Sequence, residues 1–222
     1  PIIAVKAACH HASRYFLLNN RGAIAPGYLA DFAVIDNFKD FNVEMVFKKG
    51  VLYWNNGELR DFDAPQIEEY LDKRAHDTFH VATLTPDDFR DTRQRGVLGM
   101  VPGEIITTDN GYADHVDLEK DILKIAVVER HKGTHHIGLG YIQGYGLRSG
   151  AVATSISHDS HNIIVVGTNS ADMAFAANYI VEHHGGIVVV ENGVVKGSVV
   201  LEIAGIMSDR PLTEVNDQLE AA

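Results

Sequence analysis

The side chains best suited to chemistry in this sequence lie in residues 157–162, Ser-His-Asp-Ser-His-Asn, directly before a run of apolar β-branched residues. If Asp159 and Ser160 form a turn, His158 and His161 converge, and Asp159 could accept a proton from one imidazole and fix its tautomer. The pattern therefore indicates half of a metal site or a substrate-facing site for proton transfer. The structural alternative is an Asx-type turn at the head of a strand, with the histidines satisfying buried backbone groups.

The remaining histidines give poor ligand sets, because most of them come as neighbours in the sequence. Adjacent residues of a strand point to opposite faces, so a His-His pair cannot direct both rings at one ion. The pairs are His10/His11, His135/His136 and His183/His184. We therefore assign no metal ligand to this chain.

Other catalytic and phosphate-binding signatures fit badly. The glycine-rich residues 133–150 lack the Gly-Lys-Ser/Thr ending of a P-loop. Gly138, Gly140 and Gly144 miss the dinucleotide-binding spacing by one residue, so close backbone packing or bulges explain them better. There is no Gly-x-Ser-x-Gly elbow, and the single cysteine, Cys9, cannot supply the site of a Pro-Cys-x-x-Cys zinc deaminase. Histidine and carboxylate, or residues outside this chain, must carry any chemistry.

Composition excludes several classes of protein. The chain has 222 residues, 45% of them hydrophobic, which is enough for a buried core. A formal net charge of -11 argues against nucleic-acid partners, which need a clustered basic surface. One cysteine precludes an internal disulfide, and no apolar run approaches the roughly 20 residues of a membrane helix. We therefore expect a cytoplasmic protein with no membrane partner and no secretory leader. The start at Pro1, without a methionine, indicates a fragment.

Periodicity and turn residues predict an α+β fold. We expect a helix over residues 2–16, then a short β-meander at about 20–60 with a strand at 32–35 and turns at Lys49-Gly50 and Asn56-Gly57. A linker over 61–66 and a helix that opens at Pro65 lead to a mostly β region. The strands predicted there are 80–84, 96–101, 104–108, 122–130, 135–142, 150–157 and 162–167.

The C-terminal third should contain one helix and one clear hairpin. Ser170 is the predicted N-cap of the helix, and Gly185 ends it. Asn192-Gly193 is the strongest hairpin signal in the chain. Residues 203–209, which include Ser208 and Asp209, are interpreted as a solvated helix cap.

Three passages together resemble one family. Residues 19–36, NNRGAIAPGYLADFAVID, resemble the segment that closes amidohydrolases, where the chain leaves the last barrel helix for a small β-sandwich. Residues 127–174 and 185–209, which include the SHDSHN stretch and the hairpin, resemble the C-terminal domain of bacterial adenine deaminases. The resemblance implies four parts: the last barrel helix (1–18), a portion of the β-sandwich (19–60), a linker and helix (61–79), and a C-terminal α+β domain (80–222).

The resemblance also implies a function and its partners. Adenine deaminases hydrolyse adenine to hypoxanthine and ammonia in purine salvage, with a manganese or iron site whose ligands lie on barrel strands that this sequence lacks. The implied partners are adenine, the missing barrel of the same chain and further copies in a homo-oligomer, and the fragment alone should be inactive. A non-catalytic binding or oligomerisation module of a related amidohydrolase is the alternative.

The HDSHN element matches the family motif residue for residue. We expect it to face the mouth of the barrel, with His158, Asp159 and His161 supporting proton transfer or purine binding. Ser160 and Asn162 are the candidate substrate contacts.

Overall fold

The computed structural model describes residues 1–60 and 66–222, and the chain divides into two compact units, Pro1–Gln66 and Ile67–Ala222. Except for Gln66, the predicted linker at 61–66 lies outside the described residues, as does the predicted helix start at Pro65. In the described part of the chain, no helix combines the length and the apolar character that crossing a membrane requires.

The first unit opens with a helical stretch and continues as a four-stranded sheet. The helix predicted at 2–16 is observed as α1 (Ile2–Lys6), a π-helical turn (Ala7–His11) and α2 (Ala12–Tyr15). The sheet is antiparallel, and its strands are neighbours in sequence order. They are β1 (Phe32–Ile35), β2 (Val43–Lys48), β3 (Val51–Asn55) and β4 (Glu58–Leu59).

Both predicted two-residue turns of this sheet are confirmed. Lys49 and Gly50 have φ of 50° and 77°, and Asn56 and Gly57 have φ of 45° and 101°, which are the paired positive values of a type I′ hairpin. Among the described residues of this unit, however, Ser13 alone is buried. The small sheet therefore has no hydrophobic core of its own.

The second unit begins with α3 (Glu69–His76), which is the observed part of the helix predicted to open at Pro65, and is built around an eight-stranded sheet. Its strands are β5 (Arg95–Met100), β6 (Thr107–Ala113), β7 (Ile122–Val128), β8 (Ile137–Gln143), β9 (Ala151–Thr154), β10 (Ile163–Gly167), β11 (Gly186–Glu191) and β12 (Val194–Val200). They lie in the order β12-β11-β9-β10-β7-β8-β5-β6, and all neighbours are antiparallel except the parallel pair β5 and β8. The predicted α+β class, mostly strand with a few helices, is confirmed.

The main core lies between this sheet and α4 (Ser170–Glu182), which packs on β9, β10 and β11. Small side chains bring the helix close to the strands, because Ala176 and Ala177 are fully buried beside Met173 and Ile180. Alternate residues of the strands supply the other half of the core. They include Ala126, Val128, Ala151, Ala153, Ile163, Val165, Val188 and Val190.

Two predicted strands are wrong. Residues 80–84 form no strand, because the side chain of Asn178 takes the place of a neighbouring strand: its Oδ1 accepts from Leu84 N at 2.9 Å and its Nδ2 donates to Leu84 O at 2.8 Å. The strand predicted at 104–108 begins later, at Thr107, and runs to Ala113. At residues 80–84 a long-range partner decides what local propensity cannot.

The helix ends also differ from prediction. Asn169, not Ser170, is the N-cap of α4, and its side chain accepts from Asp172 N. Residues 203–209 are not a helix cap but a tight turn closed by a bridge between Ile203 and Met207. The final helix, α5 (Leu212–Ala221), starts only after Pro211 and was not predicted.

Candidate functional site

The predicted chemistry lies in the loop 155–162, which joins β9 to β10 at one end of the large sheet. The start of this loop is anchored by Ser155, which is fully buried. Ser155 Oγ donates to the carbonyl of Gly205 and accepts from Gly186 N at 2.8 Å, so it joins the loop to the first residue of β11 and to the turn after β12. The loop therefore leaves the sheet from a fixed point.

The predicted turn at Asp159 and Ser160 is confirmed. His161 N donates to the carbonyl of Ser157, and Asn162 N donates to Ser160 Oγ at 3.3 Å. These bonds satisfy two backbone N–H groups at the end of the turn.

Three residues of the motif, His158, Asp159 and Ser160, are exposed, and the other two are half-buried. His158 and Asp159 have side chains that are 90% and 85% exposed, and His158 Nε2 lies 2.5 Å from Asp159 Oδ1. His161 and Asn162 are half-buried, and His161 Nδ1 and Asn162 Oδ1 are inaccessible and have no hydrogen-bond partner in the described chain. The turn thus brings Asp159 to His158, as the sequence predicts for one of the two imidazoles, while His161 occupies a different environment.

Two residues that the sequence analysis did not select hold this loop from the end of β7. Arg130, which is 2% exposed, donates through Nε to the carbonyl of His161, and His131 Nε2 lies 2.9 Å from the carbonyl of Ser160. Burial lowers the pKa of Arg130. The available signal was the Glu129-Arg130 pair directly after an apolar run, where a strand that enters the core ends in charged residues.

Glu129 shapes the backbone that carries His131. Its carboxylate accepts from Thr134 Oγ1 at 2.7 Å and from the backbone N–H groups of His131, Lys132 and Thr134. These hydrogen bonds, that of Thr134 Oγ1 first, lower the pKa of Glu129 to about 2 against the opposing effect of desolvation. The turn after β7 is therefore closed around a carboxylate that stays ionised at neutral pH.

Two of the paired histidines, His135 and His183, have structural partners. His135 Nε2 contacts Asp88 Oδ1 at 2.9 Å, and the ring of His183 stacks on Tyr179 with its Nδ1 3.0 Å from the carbonyl of the same residue. Across residues 1–60 and 66–222, no group of three or more His, Cys, Asp or Glu side chains is arranged to hold a metal ion. The described residues therefore do not fit a metal centre.

Comparison with known proteins gives a family. The family model of the adenine deaminase C-terminal domain matches residues 103–222. A protein of Dehalococcoides mccartyi named adenine deaminase is 38% identical to 99% of this chain, and the match covers 40% of that protein. Proteins of the same name from Nitratidesulfovibrio vulgaris and Petrotoga mobilis are each 39% identical, with 98% and 99% of this chain and 39% and 40% of the relative covered. The chain thus spans about 40% of the length of the curated relatives it matches.

Proposed function

The chain belongs to the adenine deaminase C-terminal domain family, and from that premise we propose that it is the C-terminal portion of an enzyme that hydrolyses adenine to hypoxanthine and ammonia in purine metabolism. One observation carries the proposal: the similarity to proteins named adenine deaminase runs over 99% of the chain, well beyond the matched family domain. The same proposal places the protein in the cytoplasm.

The reaction needs an activated water and a proton donor. Water adds to C6 of the purine, and protonation of the exocyclic nitrogen lets ammonia leave. We propose that the intact enzyme uses a divalent metal, manganese or iron, which would supply a hydroxide at neutral pH. Since the described residues do not fit a metal site, its ligands would lie in the part of the relatives that this chain does not cover. The 222-residue chain alone should then be inactive.

We propose that the loop 155–162 assists this reaction from its outer side. Asp159 Oδ1 contacts His158 Nε2, which fixes a proton on that nitrogen and leaves Nδ1 of the same ring as the acceptor. Such a pair can take up or return a proton beside a bound purine. We propose His161 as a second imidazole that supports proton transfer, and Ser160 and Asn162 as contacts to the purine.

The test is adenine deamination by the full-length gene product that contains this sequence, with ammonia release as the readout. We expect His158→Ala to lower kcat/KM about 100-fold, the lower end of what a general acid or base contributes. His115→Ala is the matched control, because His115 Nδ1 also lies 2.5 Å from the carboxylate of its sequence neighbour, Asp114, and both side chains are exposed.

The possible outcomes separate two roles for the chain. Loss of activity in His158→Ala, with His115→Ala unchanged, supports a loop that takes part in the reaction. Equal activity of both variants would remove His158 from the mechanism and favour a binding or oligomerisation module. Deamination by the 222-residue chain alone, with added Mn²⁺, would contradict the proposed division of the site.

We also propose that the protein forms homo-oligomers. Large apolar side chains are exposed in the second unit, among them Ile105, Ile106 and Tyr112 near the edge strand β6. Exposed apolar surface beside an unpaired strand edge favours association. Light scattering over a range of concentrations checks this, and a constant monomer mass would count against it.

A further inference from the structure

The side chains of two consecutive residues that follow β7, Arg130 and His131, bind two consecutive carbonyl groups of the candidate loop. Arg130 Nε donates to the carbonyl of His161, and His131 Nε2 lies 2.9 Å from the carbonyl of Ser160. Arg130 is 31 positions from His161, and His131 is 29 positions from Ser160, so these contacts are tertiary and not part of the turn itself. They fall directly after His158 and Asp159, on the side of the turn that returns to the sheet.

Arg130 ties this loop to two further segments. Its Nη1 donates to Thr78 O at 2.7 Å and to Thr78 Oγ1 at 3.0 Å, and its Nη2 donates to Ala204 O at 2.9 Å. The guanidinium carbon lies 4.2 Å from the ring centroid of Phe79. A planar group with donors in a fixed fork can meet all these acceptors at once, whereas an ammonium on a flexible stem cannot reproduce the geometry.

His131 differs from Arg130 in being exposed. Its contact with a carbonyl oxygen requires a proton on Nε2, because a carbonyl can only accept. The turn closed by Glu129 presents the ring, since the Glu129 carboxylate accepts from the backbone N–H of His131 at 2.6 Å. The surface contact can therefore be removed by mutation without opening the core.

The loop is thus held at both ends and free at its tip. Ser155 fixes its start to Gly186 and Gly205, and the two β7-end residues fix Ser160 and His161. Between these points, His158 and Asp159 project with 90% and 85% of their side chains exposed. Fixed supports on both sides of the exposed tip set the direction of its backbone, as positioning of a reactive group requires.

We propose that Arg130 and His131 are positioning residues of the deaminase: by binding the carbonyl groups of His161 and Ser160 they set the direction in which His158 and Asp159 project. The part of this inference that concerns catalysis by His158 and Asp159 rests on the proposed function. Whether Arg130 and His131 hold the loop in place does not depend on that function. Neither residue touches substrate; each acts through the loop backbone.

The first experiment measures the loop in the 222-residue chain by amide hydrogen exchange, read by NMR. His131→Phe keeps a ring but removes the donor, and we expect exchange at the amides of His161 and Asn162 to speed up about tenfold while the core strand β10 stays protected. His131→Gln places an amide donor near the same carbonyl and should restore most of the protection. Unchanged exchange in His131→Phe would overturn the inference.

Arg130→Lys tests the buried contact. It should loosen the same amides, while Arg148→Lys, whose wild-type Nη1 donates to the carbonyl of Leu118 at 2.7 Å on the surface, should leave them unchanged. If Arg130→Lys disrupts the whole fold, the His131 variants still decide the question, because His131 is exposed.

The second experiment measures adenine deamination by the full-length gene product. We expect His131→Phe to lower kcat about tenfold with KM nearly unchanged, and His131→Gln to recover it, because a misdirected group costs rate more than binding. A loosened loop with normal kcat, while His158→Ala is impaired, would overturn the positioning role. If His158→Ala itself is fully active, the proposed function of the loop fails and the positioning role fails with it, whereas the exchange data still report whether the two residues hold the loop.

Discussion

At the scale of single residues, Asp172 is a second buried charge, besides Arg130, that lies outside the candidate loop. It is 4% exposed and lies in the first turn of α4. Its Oδ1 accepts from Gly193 N at 2.8 Å, and its Oδ2 accepts from Asn192 N at 3.2 Å and from Asn169 Nδ2 at 2.9 Å. One carboxylate therefore joins the start of the core helix to the turn of the β11–β12 hairpin.

These contacts predict a pH-dependent contribution to stability. Desolvation raises the pKa of Asp172, but the hydrogen bonds from Asn169, Gly193 and Asn192 outweigh it and hold the pKa below its ordinary value. A lowered pKa in the folded state means that the carboxylate stabilises the fold above its unfolded pKa, about 3.9, and that this stabilisation is lost as the pH falls through the folded value.

We expect Asp172→Asn to lower the free energy of unfolding by about 2 kcal/mol at pH 7, because an amide can accept at only one of the two oxygen positions. Urea unfolding at several pH values checks this, and the gap between the two proteins should narrow below about pH 3.9. Asp109→Asn is the control, since Asp109 is exposed and accepts from the backbone of Gly111. If the difference in the free energy of unfolding between the two proteins stays constant down to pH 3, the charge of Asp172 does not contribute to stability.

At the scale of elements, the turns that the sequence predicts correctly are those whose conformation is determined by adjacent residues. Both type I′ turns of the small sheet and the Asn192-Gly193 turn, with φ of 53° and 70°, follow from residues that tolerate positive φ. The failure at residues 80–84 and the missed role of Arg130 involve distant partners. Residues 80–84 are held by Asn178, which is 94 positions from Leu84, and Arg130 meets acceptors 31, 52 and 74 positions away. Spacing along the chain contains no information about such contacts.

The hairpin turn gives a clean test of the local part. A Cβ added at Gly193 would meet nothing within 4 Å, so its cost is the φ of 70° alone, about 1 kcal/mol. Gly96 in β5 has equally open space and no positive φ. We expect Gly193→Ala to lower the free energy of unfolding by about that amount and Gly96→Ala to cause no loss, as measured by urea unfolding. Equal losses in both variants would point to packing as the cause instead.

At the scale of the whole molecule, the two units differ in what holds them together. The large hydrophobic cluster belongs entirely to the second unit, and it includes Phe89, Met173 and Ile180. In the described part of the first unit, apolar side chains such as Trp54 and Met45 are only half-buried. Burial of apolar side chains is the main source of folding free energy, so the second unit is the one that can fold by itself.

The start of that independent unit can be located by truncation. Resemblance to the family places the domain at 80–222, whereas compactness places the unit at Ile67–Ala222. Residues before His80 supply specific contacts to the rest of the unit: Thr78 accepts twice from Arg130, Phe79 lies under the same guanidinium, and Ala75 O accepts from Ala204 N at 2.6 Å. Removal of these partners leaves a buried cation with unsatisfied donors.

We therefore expect the chain 67–222 to unfold cooperatively and the chain 80–222 to be less stable by at least about 3 kcal/mol, two charged hydrogen bonds being lost at Arg130. Urea unfolding of the two truncated chains makes the comparison. It is followed by far-UV circular dichroism, because Trp54 lies outside both chains and tryptophan fluorescence therefore cannot be used. Equal midpoints would mean that Arg130 finds other acceptors and that the unit begins at the later position. A large difference would place Thr78 and Phe79 inside the folding unit, and with them the support on which the His158 loop rests.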